Sequence, residues 1–397
     1  MNVGLDARKL RDGGIGTYIR NLVAALLDAP GDERYVAFVS PADAGQLADV
    51  GRPTEAERLA GARRLAEEER LPERQSLAAA PGRLSEVVVR AGKYTLAEHW
   101  VLARAARRAA LDLFHAPHYT LPLAWRGPAV VTIHDLIHVR HARFFRPGVG
   151  LYARAVAGAA VKRARIVLAN SEHTRAEVIT LLGAPPGRVR VVPLAAAPGL
   201  APRPRAAVEA FRRARALPAG YVLYVGARKR HKNLALLVAA LGAMAPGTRP
   251  PLVLSGERWR ERDALAAAAR RAGLAGAVHF SGPLAGDDEL ALLYSGAALY
   301  AQPSLAEGFG LPPLEAMACG TPVIASTAGA LPEVLGEAAP MLPPEDPAAW
   351  AATMERMLGD EAWRSALVRR GAERARLYSW ARTAALTRQA YLEATNA

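Results

Sequence analysis

The chain of 397 residues has a single cysteine, Cys319, so an intrachain disulfide framework is excluded. Between Ala318 and Gly320 that thiol reads as filler of a small buried space, and no chemistry is assigned to it. Aromatic residues make up only 6% of the chain, and none interleave with the arginines as stacking platforms. Zinc-finger spacing and a ribonucleoprotein signature are also missing, so nucleic acid is not expected as a partner. No apolar run is long enough to span a bilayer, and the chain enters a strand-like "MNVGLDA" without a charged-then-apolar leader. Cytoplasmic residence is the expectation. His115, His118, His134 and His138 invite a metal reading, yet none forms the helical pair around an acid that a zinc enzyme uses. No metal is expected.

Basic charge is plentiful and uneven. The formal net charge is +14, and residues 101–250 hold 24 Lys plus Arg against 5 Asp plus Glu, leaving 27 against 32 elsewhere. A block of this kind suits an anionic membrane or a phosphorylated small molecule, with a merely solvated arginine-rich surface as the bland alternative.

The length favours two domains over a single core. Apolar, β-rich runs recur as "VVTIHD" (130–135), "RIVLAN" (165–170), "RVRVVP" (188–193), "YVLYVG" (221–226), "PLVLSG" (251–256), "VHFSG" (278–282), "ALYAQPS" (298–304) and "PVIAS" (322–326). Helical patterns separate most of them; in one, Ile15, Ile19, Leu22, Val23, Leu26 and Leu27 share a face. Strands alternating with helices predict parallel sheets covered on both sides, hence an α/β fold of two doubly wound domains. The break between them is expected in "AAAPGLAPRPRAA" (195–207), and residues 51–93 read as an insertion or mobile element.

Ligands of open α/β sheets sit beyond the carboxyl ends of the strands, and four strand-to-helix turns stand out there. In "RDGGIGTY", Gly13, Gly14 and Gly16 let backbone amides approach an anion, although such a turn is also commonly structural. In "TIHDLIH", His134 and Asp135 close a strand, either as a group donating to a sugar or phosphate with an orienting carboxylate, or as a buried structural pair. In "VGARKRHKNLALL", Arg228, Lys229, Arg230, His231 and Lys232 crowd the place where a pyrophosphate meets a helix start. In "EGFGLPPLEAMACGTPVIAS", Pro312 and Pro313 suit a first helical turn, so Glu307 falls in the preceding loop and Glu315 about one turn into the helix. Two carboxylates so placed have different tasks: Glu307 can accept from sugar hydroxyls and Glu315 from a ribose diol, while Gly308 and Gly310 free backbone amides. Asp287 or Asp288 in "GDDEL" reads as a helix cap.

With those turns in view, the chain resembles the retaining nucleotide-sugar glycosyltransferases of family 4, in their mannosyltransferase-like group. "GLDARKLRDGGIGTYIRNLV", "LFHAPHYTLPL", "TIHDL", "NSEHTRAEV", "YVGARKRHKNL" and "EGFGLPPLEAMACGTPVIAS" are similar to that family's landmarks in order. The resemblance implies the GT-B fold, two Rossmann-like domains facing a central cleft. Residues 1–198 would bind the acceptor and 199–379 the nucleotide sugar, with a last helix near 380–397 able to pack back on the first domain. Carried over by position, Glu307 contacts the donor sugar, Glu315 the ribose, and Lys232 the diphosphate. Gly14 and Gly16 line the cleft, and Gly308, Phe309, Gly310 and Leu311 complete the donor loop. His134, with Asp135 beside it, lies near the reacting carbon. Relatives often have arginine directly after the turn glycine; here Ala227 follows Gly226, and Arg228 takes that part.

The implied reaction moves a hexose, with GDP-mannose favoured, to a glycan or lipid-linked acceptor hydroxyl in bacterial polysaccharide or glycolipid assembly. It proceeds with retention and without metal or other cofactor. A front-face path needs no protein nucleophile, whereas double displacement would need a carboxylate on the opposite face. Peripheral contact with an anionic membrane, at the inner face of the cell membrane, is a further expectation. The rivals are a UDP-sugar-dependent transferase acting on a small-molecule acceptor, a nucleotide-sugar epimerase and a non-enzymatic nucleotide-sugar scaffold. An oxidoreductase is disfavoured because "GGIGTY" is not a clean dinucleotide fingerprint.

Overall fold

In the computed structural model, residues 1–47, 82–92, 95–256, 264–274 and 276–396 are described; most of the stretch read above as an insertion lies outside them. Seven strands, β1 (Asn2–Asp6), β2 (Arg34–Val39), β3 (Leu84–Val88), β4 (Leu113–Ala116), β5 (Ala129–Ile133), β6 (Ile166–Ala169) and β7 (Val189–Val191), build the first sheet. Its order is β3-β2-β1-β4-β5-β6-β7, with every neighbour parallel. The second sheet, also all parallel, has the order β10-β9-β8-β11-β12-β13. Its strands are β8 (Val222–Val225), β9 (Leu252–Ser255), β10 (Val278–Phe280), β11 (Leu299–Gln302), β12 (Val323–Ser326) and β13 (Met341–Leu342). Strand order reverses direction between β1 and β4 and again between β8 and β11, and a doubly wound sheet opens its ligand crevice at such a reversal.

Burial explains the elements. Strands covered on both faces read as continuous apolar runs, and β4, β5, β6, β9, β11 and β12 are buried at every position. The helix Gly13–Asp28 buries Ile19, Leu22, Val23, Leu26 and Leu27 against the first sheet.

The C-terminal helix Trp380–Asn396 leaves the second sheet and returns to the first. Trp380 Nε1 donates to the Ala196 carbonyl at 3.1 Å, Thr383 Oγ1 to that of Pro193 at 2.6 Å, and Arg165 to that of Ala394 at 2.8 Å. Arg388 pairs with Glu33 at 2.6 Å, and the buried Tyr391 hydroxyl meets His115 Nδ1 at 2.8 Å.

Two local readings change. Leu84–Val88, placed in the insertion by sequence, is the edge strand of the first sheet, in register with Tyr35–Val39. Asp287 and Asp288 do not cap their helix: Gly286 occupies the cap position at φ +138°, and both acids lie in the first turn, where they favour the helix's positive end. Asp288 is held there by Arg203 at 2.5 Å.

Candidate active site

The loop 303–310 leaves the carboxyl end of β11, and its acidic residue is the hub of a buried polar cluster. Glu307 Oε1 accepts from Lys232 Nζ at 2.7 Å, Gln302 Nε2 at 2.6 Å and Ser304 Oγ at 2.6 Å. Burial pushes the Glu307 carboxyl up, but Lys232 and Ser304 more than offset this and hold it below its ordinary range. The backbone is fixed by Leu305 N donating to the His231 carbonyl at 2.7 Å, Ala330 N to that of Glu307 at 3.0 Å and Ser326 Oγ to that of Ser304 at 2.5 Å. Lys232 closes the one-turn 3₁₀ helix Arg230–Lys232 after β8, and Asn233, at φ +54°, starts the helix Leu234–Ala243. Lys232 thus precedes the α-helical N-terminus, and its ammonium points at β11's loop.

The first domain meets this loop at Gly308. A Cβ there would overlap the His134 carbonyl oxygen and lie 2.8 Å from Asp135 Cβ, so only glycine permits the approach. Ser171 Oγ and Thr174 Oγ1 donate to the Gly308 carbonyl at 2.7 and 3.1 Å, and Asn170 Nδ2 to that of His134 at 2.9 Å. The ends of β5, β6 and β11 are therefore stitched together. His134 Nε2 donates to the Pro117 carbonyl at 2.9 Å, which leaves Nδ1 as the acceptor nitrogen. Tyr18 meets the His134 ring edge-on at 4.7 Å between centroids. Desolvation lowers the pKa of His134, so its imidazole is neutral at pH 7. Asp135 Oδ1 accepts from Ile137 N at 3.1 Å, a bond that shapes the turn. Nearby, Lys9 Nζ lies 3.1 Å from His118 Nδ1, whose pKa burial and Lys9 push down to about 2.

Two cavities lie near this site, one between the domains and one within the second domain beside the Arg228–Arg230 turn. The first, about 210 Å³, is lined by Asp135, Arg140, His141, His173, Glu177 and Glu307 among others. The second, about 360 Å³, is lined by Arg228, Lys229, Arg230 and Asn233 on one side and by Ala264, Leu265 and Ala268 on the other. A turn this rich in cations, next to the Lys232–Glu307 pair, suits an anionic ligand. Among the described residues, no group of three His, Cys, Asp or Glu is arranged to hold a metal ion.

The remaining residues singled out in the sequence have the following surroundings. Gly14 is exposed with open space beside it, whereas a Cβ on the buried Gly16 would overlap the Leu10 carbonyl, so close packing explains that glycine. Phe309 is a core residue, edge-on to Tyr378 at 5.7 Å, and anchors the loop from beneath. Gly310, at φ +104°, caps the helix Leu311–Ala318, and Leu311 packs at the core's margin. Glu315 lies in that helix, buried, its Oε2 accepting from the Tyr294 hydroxyl at 2.9 Å. Burial raises its pKa to about 7, Tyr294 opposing and Asp287 adding to the rise. Sequence reasoning missed Gln302, Ser304, Ser171 and Tyr294. Only Gln302 carried a signal, as an amide ending the apolar run "ALYAQ".

Residues 12–196 match the family described as Glycosyltransferase Family 4, and residues 219–360 match Glycosyl transferases group 1. Over 282 residues the chain is 32% identical to the O-antigen chain mannosyltransferase B of Escherichia coli, covering 70% of this chain and 74% of that protein. The chain belongs to the family 4 glycosyltransferases. It is also 33% identical over 326 residues to the D-inositol 3-phosphate glycosyltransferase of Salinispora arenicola, covering 75% of this chain and 72% of that one. Among solved structures, the sucrose-phosphate synthase of Thermosynechococcus elongatus superposes with a TM-score of 0.75 at 23% identity, over 99% of this chain and 98% of that one. Anabaena HepE, solved in complex with UDP and glucose, gives 0.72 at 18%, over 99% of each chain. The fold of this glycosyltransferase is accordingly GT-B, with the Lys232–Glu307 pair and His134 at the junction of its two Rossmann-like sheets.

Proposed function

We propose that this glycosyltransferase moves a mannosyl residue from GDP-mannose, with retention, to a hydroxyl of a glycan or lipid-linked acceptor in bacterial polysaccharide or glycolipid assembly. The observation that carries the reading is the Lys232–Glu307 pair at the β8/β11 reversal, opposed across the junction by His134 and Asp135. The second domain holds the donor: Lys232 and Arg228 neutralise the diphosphate, Glu307 accepts from the sugar hydroxyls, and Glu315 takes the ribose. The first domain presents the acceptor, with His134 near the reacting carbon. Three donors on Glu307 Oε1 make that carboxylate a poor nucleophile, which supports a front-face path in which the departing phosphate removes the acceptor proton. No metal takes part. The homology to an O-antigen mannosyltransferase favours mannose.

The acceptor domain also carries a membrane-compatible surface. Between Asp135 and Glu172 no acidic residue occurs, and Arg143, Arg146 and Arg154 are exposed beside Leu151 and Tyr152, which are 76% and 50% exposed. Among the described residues no helix is long and apolar enough to cross a membrane, so contact would be peripheral. Sedimentation with anionic but not neutral vesicles, reversed by salt, is the expected outcome; no sedimentation with either removes the membrane claim and leaves the transferase reading standing.

A second reading, a soluble small-molecule acceptor served by a UDP-sugar, draws support from the D-inositol 3-phosphate glycosyltransferases among the relatives. Nucleoside diphosphate release from a panel of GDP- and UDP-sugars, with oligosaccharide and inositol-phosphate acceptors side by side, separates the two. Turnover only of a UDP-sugar with the small acceptor overturns the first.

A further inference from the structure

Strand β11 is buried at all four positions, and three of its residues are Leu299, Tyr300 and Ala301; the fourth is an amide, Gln302, 1% exposed. An amide in such a place must satisfy both of its ends within the protein. Here Oε1 accepts from the Tyr300 hydroxyl, while Nε2 donates to Ser304 Oγ at 2.9 Å and to Glu307 Oε1 at 2.6 Å. The opposite orientation would set the amide oxygen against the Glu307 carboxylate, so the neighbours fix which way it points. Ser304 Oγ in turn donates to the same Glu307 oxygen.

We infer that Gln302, assisted by Ser304, is a positioning residue that holds Glu307 ionised and in one orientation while Lys232 is shared with the donor's diphosphate. The inference rests on the proposed contact of Glu307 with the donor sugar. Lys232 Nζ has two tasks in that reading: it pairs with Glu307 now, and it must turn toward phosphate oxygens once donor binds. A buried carboxylate that lost the cation paired with it would tend to take up a proton and so lose an acceptor. Gln302 and Ser304 keep two donors on Oε1 throughout, and Oε2 stays available to a sugar hydroxyl. An apolar residue would fill the strand position equally well, so packing alone does not call for an amide.

The test needs no donor. Protein labelled with ¹³C at the glutamate carboxyls is titrated by NMR as wild type, Glu307→Gln to assign the signal, and Gln302→Met, which keeps the volume and leaves Tyr300 its Val225 carbonyl at 3.4 Å. The expected result is a Glu307 midpoint at higher pH in Gln302→Met, with cooperative unfolding retained. The acid limb of kcat/KM for GDP-mannose should move the same way, kcat/KM at its optimum should fall about tenfold or more, and affinity for GDP alone should be unchanged. An unmoved Glu307 midpoint overturns the inference. Should Gln302→Met fail to fold, Ser304→Ala removes the second donor and must raise the midpoint too; an unmoved midpoint there is equally decisive. If wild type does not turn over GDP-mannose, the donor assignment falls while the titration still decides the role of Gln302.

Discussion

Replacing Lys232 by Met removes the cation from Glu307 and leaves an apolar stem of similar reach. The side chains are 18% and 8% exposed and meet at 2.7 Å, so the carboxylate cannot recover its loss from water. Breaking a buried pair from one side costs about 3 to 5 kcal/mol. Gln302 and Ser304 continue to donate to Oε1, which places the expected loss near the lower end, about 3 kcal/mol. For a domain of this size that corresponds to a fall of roughly 6 to 12 °C in the midpoint of thermal unfolding at pH 7. The double variant Lys232→Met with Glu307→Gln should recover most of it, because no charge is then stranded. The sign with pH follows from the lowered Glu307 pKa. Its stabilisation is present above the unfolded-state value of about 4.3 and is lost as pH falls through the folded-state value, so the gap between wild type and Lys232→Met should close in acid. Calorimetry on the three proteins is the assay. A single variant within a degree of wild type, or a double variant no better than the single, would show that losing Lys232 strands no charge.

Glu315 has the opposite sign: burial raises its pKa to about 7, so wild type should lose roughly 3 to 4 kcal/mol relative to Glu315→Gln as pH rises from about 4.3 to about 8, levelling off above. Parallel curves in denaturation across that range would place the Glu315 carboxyl in water. Gly308→Ala must displace the His134 carbonyl or part the domains, so small-angle scattering should give a larger radius of gyration than wild type and transfer should fall at least about tenfold; unchanged size and activity would show that the contact is dispensable. Chelator should leave transfer substantially intact if, as proposed, Lys232 and Arg228 carry the diphosphate charge; complete loss restored by magnesium or manganese is the contrary result.

Much of this was legible in the sequence because the signals were local. A buried parallel strand is an apolar run, and the helix Gly13–Asp28 shows its buried face in the spacing of Ile19, Leu22, Val23, Leu26 and Leu27. The prolines after Gly310 announced the helix carrying Glu315, and the loop position of Glu307 followed. What stayed hidden depends on partners distant in the chain. β3 is a short edge strand containing Ser85 and Glu86, defined by its pairing with β2 rather than by its own composition. The pairing of Lys232 with Glu307 spans 75 positions, and that of Ser171 with Gly308 spans 137, so no spacing rule could supply either. Gly16 and Phe309 sit inside motif segments, yet one is required by the Leu10 carbonyl and the other by the core around Tyr378. Position in a motif does not say which way a residue faces.

The proposed site at the β8/β11 reversal would bind a nucleotide sugar through Lys232 and Glu307. Isothermal titration of GDP-mannose, GDP and UDP-glucose into wild type and Lys232→Met tests it most directly. Saturable binding of GDP-mannose at one site, weakened at least about tenfold in Lys232→Met while the variant remains folded, is the predicted result. Equal affinity in the two proteins, or no binding of any of the three ligands to wild type, would contradict it.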